Sequence, residues 1–126
     1  MNKQRICIVG DGLTGLMTAI VLGKIPGVEI NLIAKKGKKN FDKRTTAISH
    51  TNFKFIKDNI FRLDNNLFWP SKNIELFYET SKEKINFLNL NDAHSNLMYV
   101  FENDKIKSIL LKEIHKNKIK IIRKDI

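Results

Sequence analysis

The sequence predicts an α/β fold, and three observations point to it. A short β-branched run, Arg5–Val9, ends at a glycine. Leu13–Lys24 follows at once, with Leu13, Leu16, Met17, Ile20 and Val21 at helical spacing. A second β-branched run, Val28–Ala34, comes after Pro26 and Gly27 have closed that helix. Strand, helix and strand in this order, with a connection of this length, make a right-handed parallel crossover. The first strand reads as buried on both faces, as strands of parallel sheets are.

The remaining elements follow in chain order. Lys35–Lys43 reads as a polar loop around Gly37. The spacing of Ile48, Phe55, Ile56 and Ile60 predicts a helix from about Thr45 to Ile60. Residues 63–72 are irregular and hold Trp69-Pro70. Asn73–Glu79 and Lys84–Leu90 are two extended runs around Thr80-Ser81-Lys82-Glu83, which predicts an antiparallel hairpin. Leu97–Phe101 is a further strand. Asp104–Lys116 is a helix through Ile106, Ile109, Leu110 and Ile114, with Asn103 as its candidate N-cap. Lys118–Arg123 is a last strand. Phe68, Trp69 and Phe77 are expected in a core.

The composition excludes several classes. At 126 residues, 42% hydrophobic and 29% charged, the chain suits one modest domain or part of a larger one. It is neither collagen-like nor disulfide-rich nor disordered. No apolar run approaches the roughly 18 residues of a membrane span, and the start is too short in apolar residues for a secretory signal. Cys7 is a single cysteine. It does not decide the redox compartment; with no export signal read at the start, the default expectation is cytoplasmic. The net charge is +10, yet 19 of the 23 basic residues are lysines. Lys, Ile and Asn together make 51 of the 126 residues. All three have AT-rich codons, so a biased genome accounts for the charge without a nucleic-acid partner. His50, His94 and His115 have no metal-ligand spacing, so no metal is expected.

The sharpest motif is Gly10-Asp11-Gly12-Leu13-Thr14-Gly15. It follows a predicted strand and opens a predicted helix, the context in which this pattern carries meaning. Gly10 permits the tight turn, Gly12 lets a pyrophosphate approach the backbone, and Gly15 lets helix and strand pack closely. The helix N-terminus offers N–H groups to phosphate. This is a Rossmann-like unit. An acidic residue for the ribose hydroxyls is expected about 20 positions on. Ala34, Lys35 and Lys36 stand there instead. One reading is an NADP site, with a basic residue meeting a 2′-phosphate, and the other is an FAD site in which the ribose is held differently; Lys35–Lys39 (KKGKK) is either a solvated loop or that phosphate contact.

Asp42-Lys43-Arg44-Thr45-Thr46-Ala47-Ile48-Ser49 resembles the D-x-R-x-x-A-L-S segment of the ubiquinone-biosynthesis hydroxylases. These belong to the class A FAD-dependent aromatic monooxygenases. Asn103-Asp104-Lys105-Ile106-Lys107-Ser108-Ile109-Leu110 is similar to the start of a later helix in that family. The order of hairpin and following strand also fits. The resemblance spans essentially the whole chain.

The resemblance implies FAD as cofactor and NAD(P)H as transient reductant. Gly10, Gly12 and Gly15, with the backbone of Leu13 and Thr14, would hold the pyrophosphate. Arg44 would sit near the flavin or the pyrophosphate, or form a surface ion pair with Asp42. Thr45, Thr46 and Ala47 would lie along the isoalloxazine. Asn103 would touch the cofactor or only cap its helix, and Asp42 would orient its loop. No residue reads as a catalytic acid or base. Family members are about three times this length and carry a second flavin motif and a substrate domain. The expectation is thus an incomplete FAD-binding fold with an inserted hairpin. Residues 1–62 form the βαβ unit and following helix, 63–101 start the substrate-domain strands, and 102–126 form the return helix and strand. Such a piece would be inactive alone, with a missing C-terminal half as partner. An aromatic polyprenylated substrate, and peripheral association at the inner membrane face, are further expectations. Two other readings stay open: a small NADP-binding module, and a basic interaction protein without cofactor.

Overall fold

The computed structural model describes residues 3–37, 41–62 and 64–125. Three parallel strands form its first layer: β1 (Gln4–Val9), β2 (Val28–Lys35) and β8 (Lys120–Lys124), with β2 in the middle. The β1–β2 register runs from Gln4↔Val28 to Val9↔Ile33, and the β2–β8 register from Asn31↔Lys120 to Lys35↔Lys124. Helix α1 (Leu13–Gly23) joins β1 to β2, and α3 (Asn103–Lys116) leads into β8. Lys118, at φ 56°, makes the turn between α3 and β8, so that strand starts two residues later than its sequence suggests.

The two helices cover the sheet through the spacing of their apolar residues. Leu16, Ala19 and Ile20 of α1 are buried, as are Ile106, Leu110 and Ile114 of α3. They meet Ile30 and Leu32, which alternate along one face of β2. Burying each large aliphatic side chain contributes about 1.5–3 kcal/mol. Among the described residues no helix covers the opposite face. Arg5, Cys7 and Val9 are exposed there, Val9 to 68%. This corrects the expectation that the first strand is buried on both faces. A β-branched run signals a strand, but double-sided burial needs a second layer.

The second sheet is antiparallel, with β7 (Met98–Glu102) between β3 (Thr45–Ser49) and β4 (Trp69–Ser71). Here the structure corrects the helix predicted from about Thr45. Thr45–Ser49 pairs with β7 from Thr45↔Glu102 to Ser49↔Met98. Thr45, Thr46 and Ile48 are β-branched and suit a pleated strand. The helix, α2 (His50–Asn59), begins only where the Ser49 hydroxyl accepts the Asn52 N–H at 3.2 Å. The segment expected to be irregular holds a 3-10 turn, Asn65–Leu67, before β4; its Leu63 lies outside the described residues.

Aromatic rings fill the space between this sheet and α2. Phe53 stacks on Tyr99 with ring centroids 3.7 Å apart. Phe68 meets Phe53 and Phe101 edge-on, at 5.2 and 5.4 Å. Phe68 is therefore core, as expected. Trp69 and Phe77 are not: both are about half exposed. Between β4 and β7 the chain runs out as a hairpin of β5 (Asn73–Glu79) and β6 (Lys84–Asn91), with no third strand paired to it among the described residues.

Candidate functional site

The site forms where β1 turns into α1. Gly10 has φ +112°, a backbone region that favours glycine. A Cβ on Gly15 would stand 2.1 Å from the Gly10 carbonyl oxygen, so only glycine lets the first turn of α1 lie against the end of β1. A Cβ on Gly12 would meet nothing within 4 Å. Gly12 therefore faces open space, and its smallness is not required by packing. Gly12 is also the N-cap of α1 and makes no side-chain cap bond. Helix geometry leaves the N–H groups of Leu13, Thr14 and Gly15 without intrahelical acceptors.

A cavity of about 490 Å³ opens onto this turn, lined by Gly12, Leu13, Asp42, Arg44, Thr45, Thr46 and Asn103, with Asp11 and Lys107 at its edge. The predicted residues Gly12, Leu13, Arg44, Thr45, Thr46 and Asn103 thus converge on one space. Gly10 and Gly15 shape the turn behind it. Thr14 instead lines an adjoining apolar groove of about 510 Å³ with Met17, Ile48 and Phe55.

The far wall is a hydrogen-bonded network that orders the loop before β3. Asn103 is 7% exposed, and its side chain spans two partners. Its Oδ1 accepts from the Thr46 hydroxyl at 2.6 Å, and its Nδ2 donates to Asp42 Oδ2 at 3.0 Å. Its backbone N–H donates to the Arg44 carbonyl at 3.0 Å. Asn103 is therefore the first residue of α3 rather than its cap: Glu102 holds the cap position and makes no side-chain bond. The competing loop partners explain the correction. A buried amide with two long-range acceptors and donors is worth more satisfied there than at its own helix end.

Asp42 and Arg44 form a two-pronged pair. Arg44 Nε donates to Asp42 Oδ1 at 2.7 Å and Nη2 donates to Oδ2 at 2.9 Å. The Arg44 backbone N–H adds a third bond to Oδ1 at 3.1 Å. Asp42 in turn donates its own N–H to Asp104 Oδ1. The Arg44 side chain, then the Asn103 amide, hold the Asp42 carboxyl well below the usual carboxylate range, against a smaller opposing effect of burial. The same pair raises the Arg44 guanidinium above its ordinary value. The ion pair read from the sequence therefore exists, and Asp42 does orient its loop. Arg44 also lines the cavity, with a planar cation that stays charged at any working pH.

A second cavity, of about 580 Å³, adjoins the first at Asp11 and Lys107. It lies at the C-terminal end of the parallel strands, where nucleotide-type ligands bind in such folds. Lys35, Lys36, Lys107 and Arg123 line it. Lys38 and Lys39 of the basic run lie outside the described residues. Asp11, Lys107 and Arg123 carried no signal in sequence, because α3 and β8 bring them together from about a hundred residues away. His94 and His115 are exposed; His50 is exposed too, with Nδ1 3.4 Å from the Tyr99 hydroxyl.

A flavin dinucleotide fits this donor set. The turn exposes backbone N–H groups beside a Gly12 whose missing side chain leaves the approach open. Arg44, shared with Asp42, and the lysines Lys35 and Lys36 are the cations that would stand beside such an anion.

No protein-family model and no curated protein matches the chain. Solved structures do. Over 98% of this chain and 32% of that one, it overlays 2-methyl-3-hydroxypyridine-5-carboxylic acid oxygenase with TM-score 0.70 at 16% identity. CtdE, solved in complex with FAD and a substrate, aligns over 96% of this chain and 30% of its own, with TM-score 0.69 and 18% identity. PqsL of P. aeruginosa, in complex with 2-aminobenzoylacetate, aligns over 95% and 34%, with TM-score 0.73 and 11% identity. The chain spans about a third of the length of each, and it shares with that third its mixed α/β fold.

Proposed function

We propose that this chain is the FAD-binding part of a flavoprotein monooxygenase that hydroxylates an aromatic ring. The observation that carries the reading is the convergence of two separate motifs on one cavity. The glycine turn supplies open backbone donors, and the Asp42–Asn103 network presents Arg44 and Thr46 opposite them. The similarity to solved structures that include an oxygenase and an FAD complex supports it. The finer reading, a ubiquinone-pathway hydroxylase, rests on the Asp42–Ser49 segment and its likeness to that family.

In this reading the chain binds and orients. The Gly12–Gly15 backbone would hold the pyrophosphate, and Arg44, fixed by Asp42, would sit near the flavin or the pyrophosphate. Thr45 and Thr46 would border the ring system, with Asn103 fixing Thr46. The isoalloxazine supplies the redox and oxygen chemistry when bound, with NAD(P)H as its reductant. Residues 63–101 are the start of a substrate-domain surface, and the β5–β6 hairpin is an insertion into the FAD-binding fold. The substrate is an aromatic, polyprenylated molecule, met by peripheral association with a membrane. No helix among the described residues is long and apolar enough to cross one.

The test is to purify the chain, titrate FAD by visible absorption and flavin fluorescence, and then add NADPH and aromatic substrate. Saturable FAD binding without substrate-dependent NADPH oxidation is the expected result. Tight stoichiometric FAD together with such oxidation contradicts the partial-enzyme reading. The basic cavity with Lys35 and Lys36 favours one alternative, an NADP-binding module. Tight NADPH binding with no FAD binding selects it.

A further inference from the structure

We infer that Asp11 supplies the carboxylate for the ribose hydroxyls of the adenosine half of the dinucleotide, in place of the acidic residue absent from the end of β2. The inference rests on the FAD-binding reading above and deepens it.

β2 lacks the usual ribose partner. In a dinucleotide-binding βαβ unit an acidic side chain at the end of the second strand accepts from the ribose. Here the strand ends in Ala34 and Lys35. Ala34 is fully buried and too short to reach the cavity, and Lys35 is a donor. The register shows what this vacancy admits. Ala34 pairs with Arg123 on β8. On the other side, Val9 pairs with Ile33, so the glycine turn continues the row beside Ala34. Arg123 reaches across the small Ala34, and its Nη1 lies 3.8 Å from Asp11 Oδ2. Lys107, one turn into α3, places Nζ 3.7 Å from the same oxygen.

Asp11 is thus a half-buried carboxylate, 27% exposed, held between two cations from separate elements. It also lies where the two cavities meet. The smaller holds the phosphate donors of the glycine turn, and the larger has the room for an adenosine. A bare carboxylate inside a phosphate-binding turn is unfavourable by charge repulsion. Lys107 and Arg123 remove that penalty, which leaves Asp11 as a hydrogen-bond acceptor at the place where the ribose enters.

The experiment uses the 126-residue chain and its Asp11→Asn variant, which keeps the shape and removes the charge. Binding of ADP and 2′,3′-dideoxy-ADP is measured by calorimetry. The wild-type chain should prefer ADP about tenfold or more, as expected for hydrogen bonds to a charged acceptor. The variant's neutral amide is a weaker partner than the carboxylate, so its preference for ADP should fall to about threefold or less. In parallel, D11N should weaken FAD more than FMN, which lacks the adenosine. An undiminished ADP preference in D11N, tighter ADP binding by D11N, or equal loss of FAD and FMN overturns the inference alone. A folded wild-type chain that binds neither ADP nor FAD overturns the FAD-binding reading and this inference together.

Discussion

The parallel layer and the β5–β6 hairpin are built from equally apolar residues and end in opposite states. In the first, Leu16, Ile20, Leu32, Ile106, Leu110 and Ile114 are fully buried between α1, α3 and the sheet. In the second, cross-strand pairs Ile74↔Leu90, Leu76↔Leu88 and Tyr78↔Ile85 place six apolar side chains on one face. Of these, only Ile74 escapes the exposed class. The opposite face carries Asn73, Glu75, Glu79, Asn89 and Asn91, with Lys84 lying 4.6 Å above the Phe77 ring. Alternation alone therefore makes a strand, while burial requires another element to pack on it. A two-stranded ribbon with nothing packed on it is marginal in water.

Substitutions in the two regions should differ in cost. The largest effect should come from Leu110→Ala, which removes a side chain with no exposed surface. Equilibrium unfolding in urea should show a loss of about 2–5 kcal/mol. Gly15→Ala should follow, at about 1–3 kcal/mol, because its Cβ has no room beside the Gly10 carbonyl. Leu88→Ala in the hairpin should change stability by less than about 0.5 kcal/mol. A loss from Leu88→Ala matching that from Leu110→Ala would erase the difference between the two regions.

The smallest effect concerns protons. The Asp42 carboxyl is depressed below its usual value of 3.8 by Arg44 and Asn103. A lowered value in the folded state means that its contribution is fully present above that usual value. It is lost only as pH falls through the lowered one. NMR titration should find Asp42 still ionised at about pH 3, where exposed carboxyls are protonated. Arg44→Met should return its titration toward the ordinary range. Titration of wild-type Asp42 with the other carboxyls would remove the network from the site.

Much of the fold was legible because its signals are local. The glycine turn, the α1 periodicity and the hairpin each declare themselves within a few residues. Thr45–Ser49 carries a helical signal in the sequence because Ile48 sits in helical register with Phe55 and Ile56. The β-branched pair Thr45-Thr46 and the capping Ser49 were the signals that pointed the other way. Of the site, the glycines and Arg44 were visible as motifs. The role of Asn103 was not, since its partners lie 57 and 61 residues away. Nothing local marks Asp11, because its partners Lys107 and Arg123 come from α3 and β8. Exposure of Val9 and burial of Phe68 likewise depend on what another part of the chain packs against.

The central claim is that the cavity at the glycine turn holds a flavin dinucleotide. Gly12→Ala tests it most directly, because an added methyl there meets no protein atom and enters the space assigned to the pyrophosphate. FAD titration of both chains, followed by flavin fluorescence alongside thermal unfolding, gives the answer. Saturable binding by the wild-type chain is expected, with at least tenfold weaker binding by Gly12→Ala and a stability loss of no more than about 1 kcal/mol, that of alanine at an N-cap. Equal FAD affinity in the two chains, or no saturable binding by the folded wild-type chain, contradicts it.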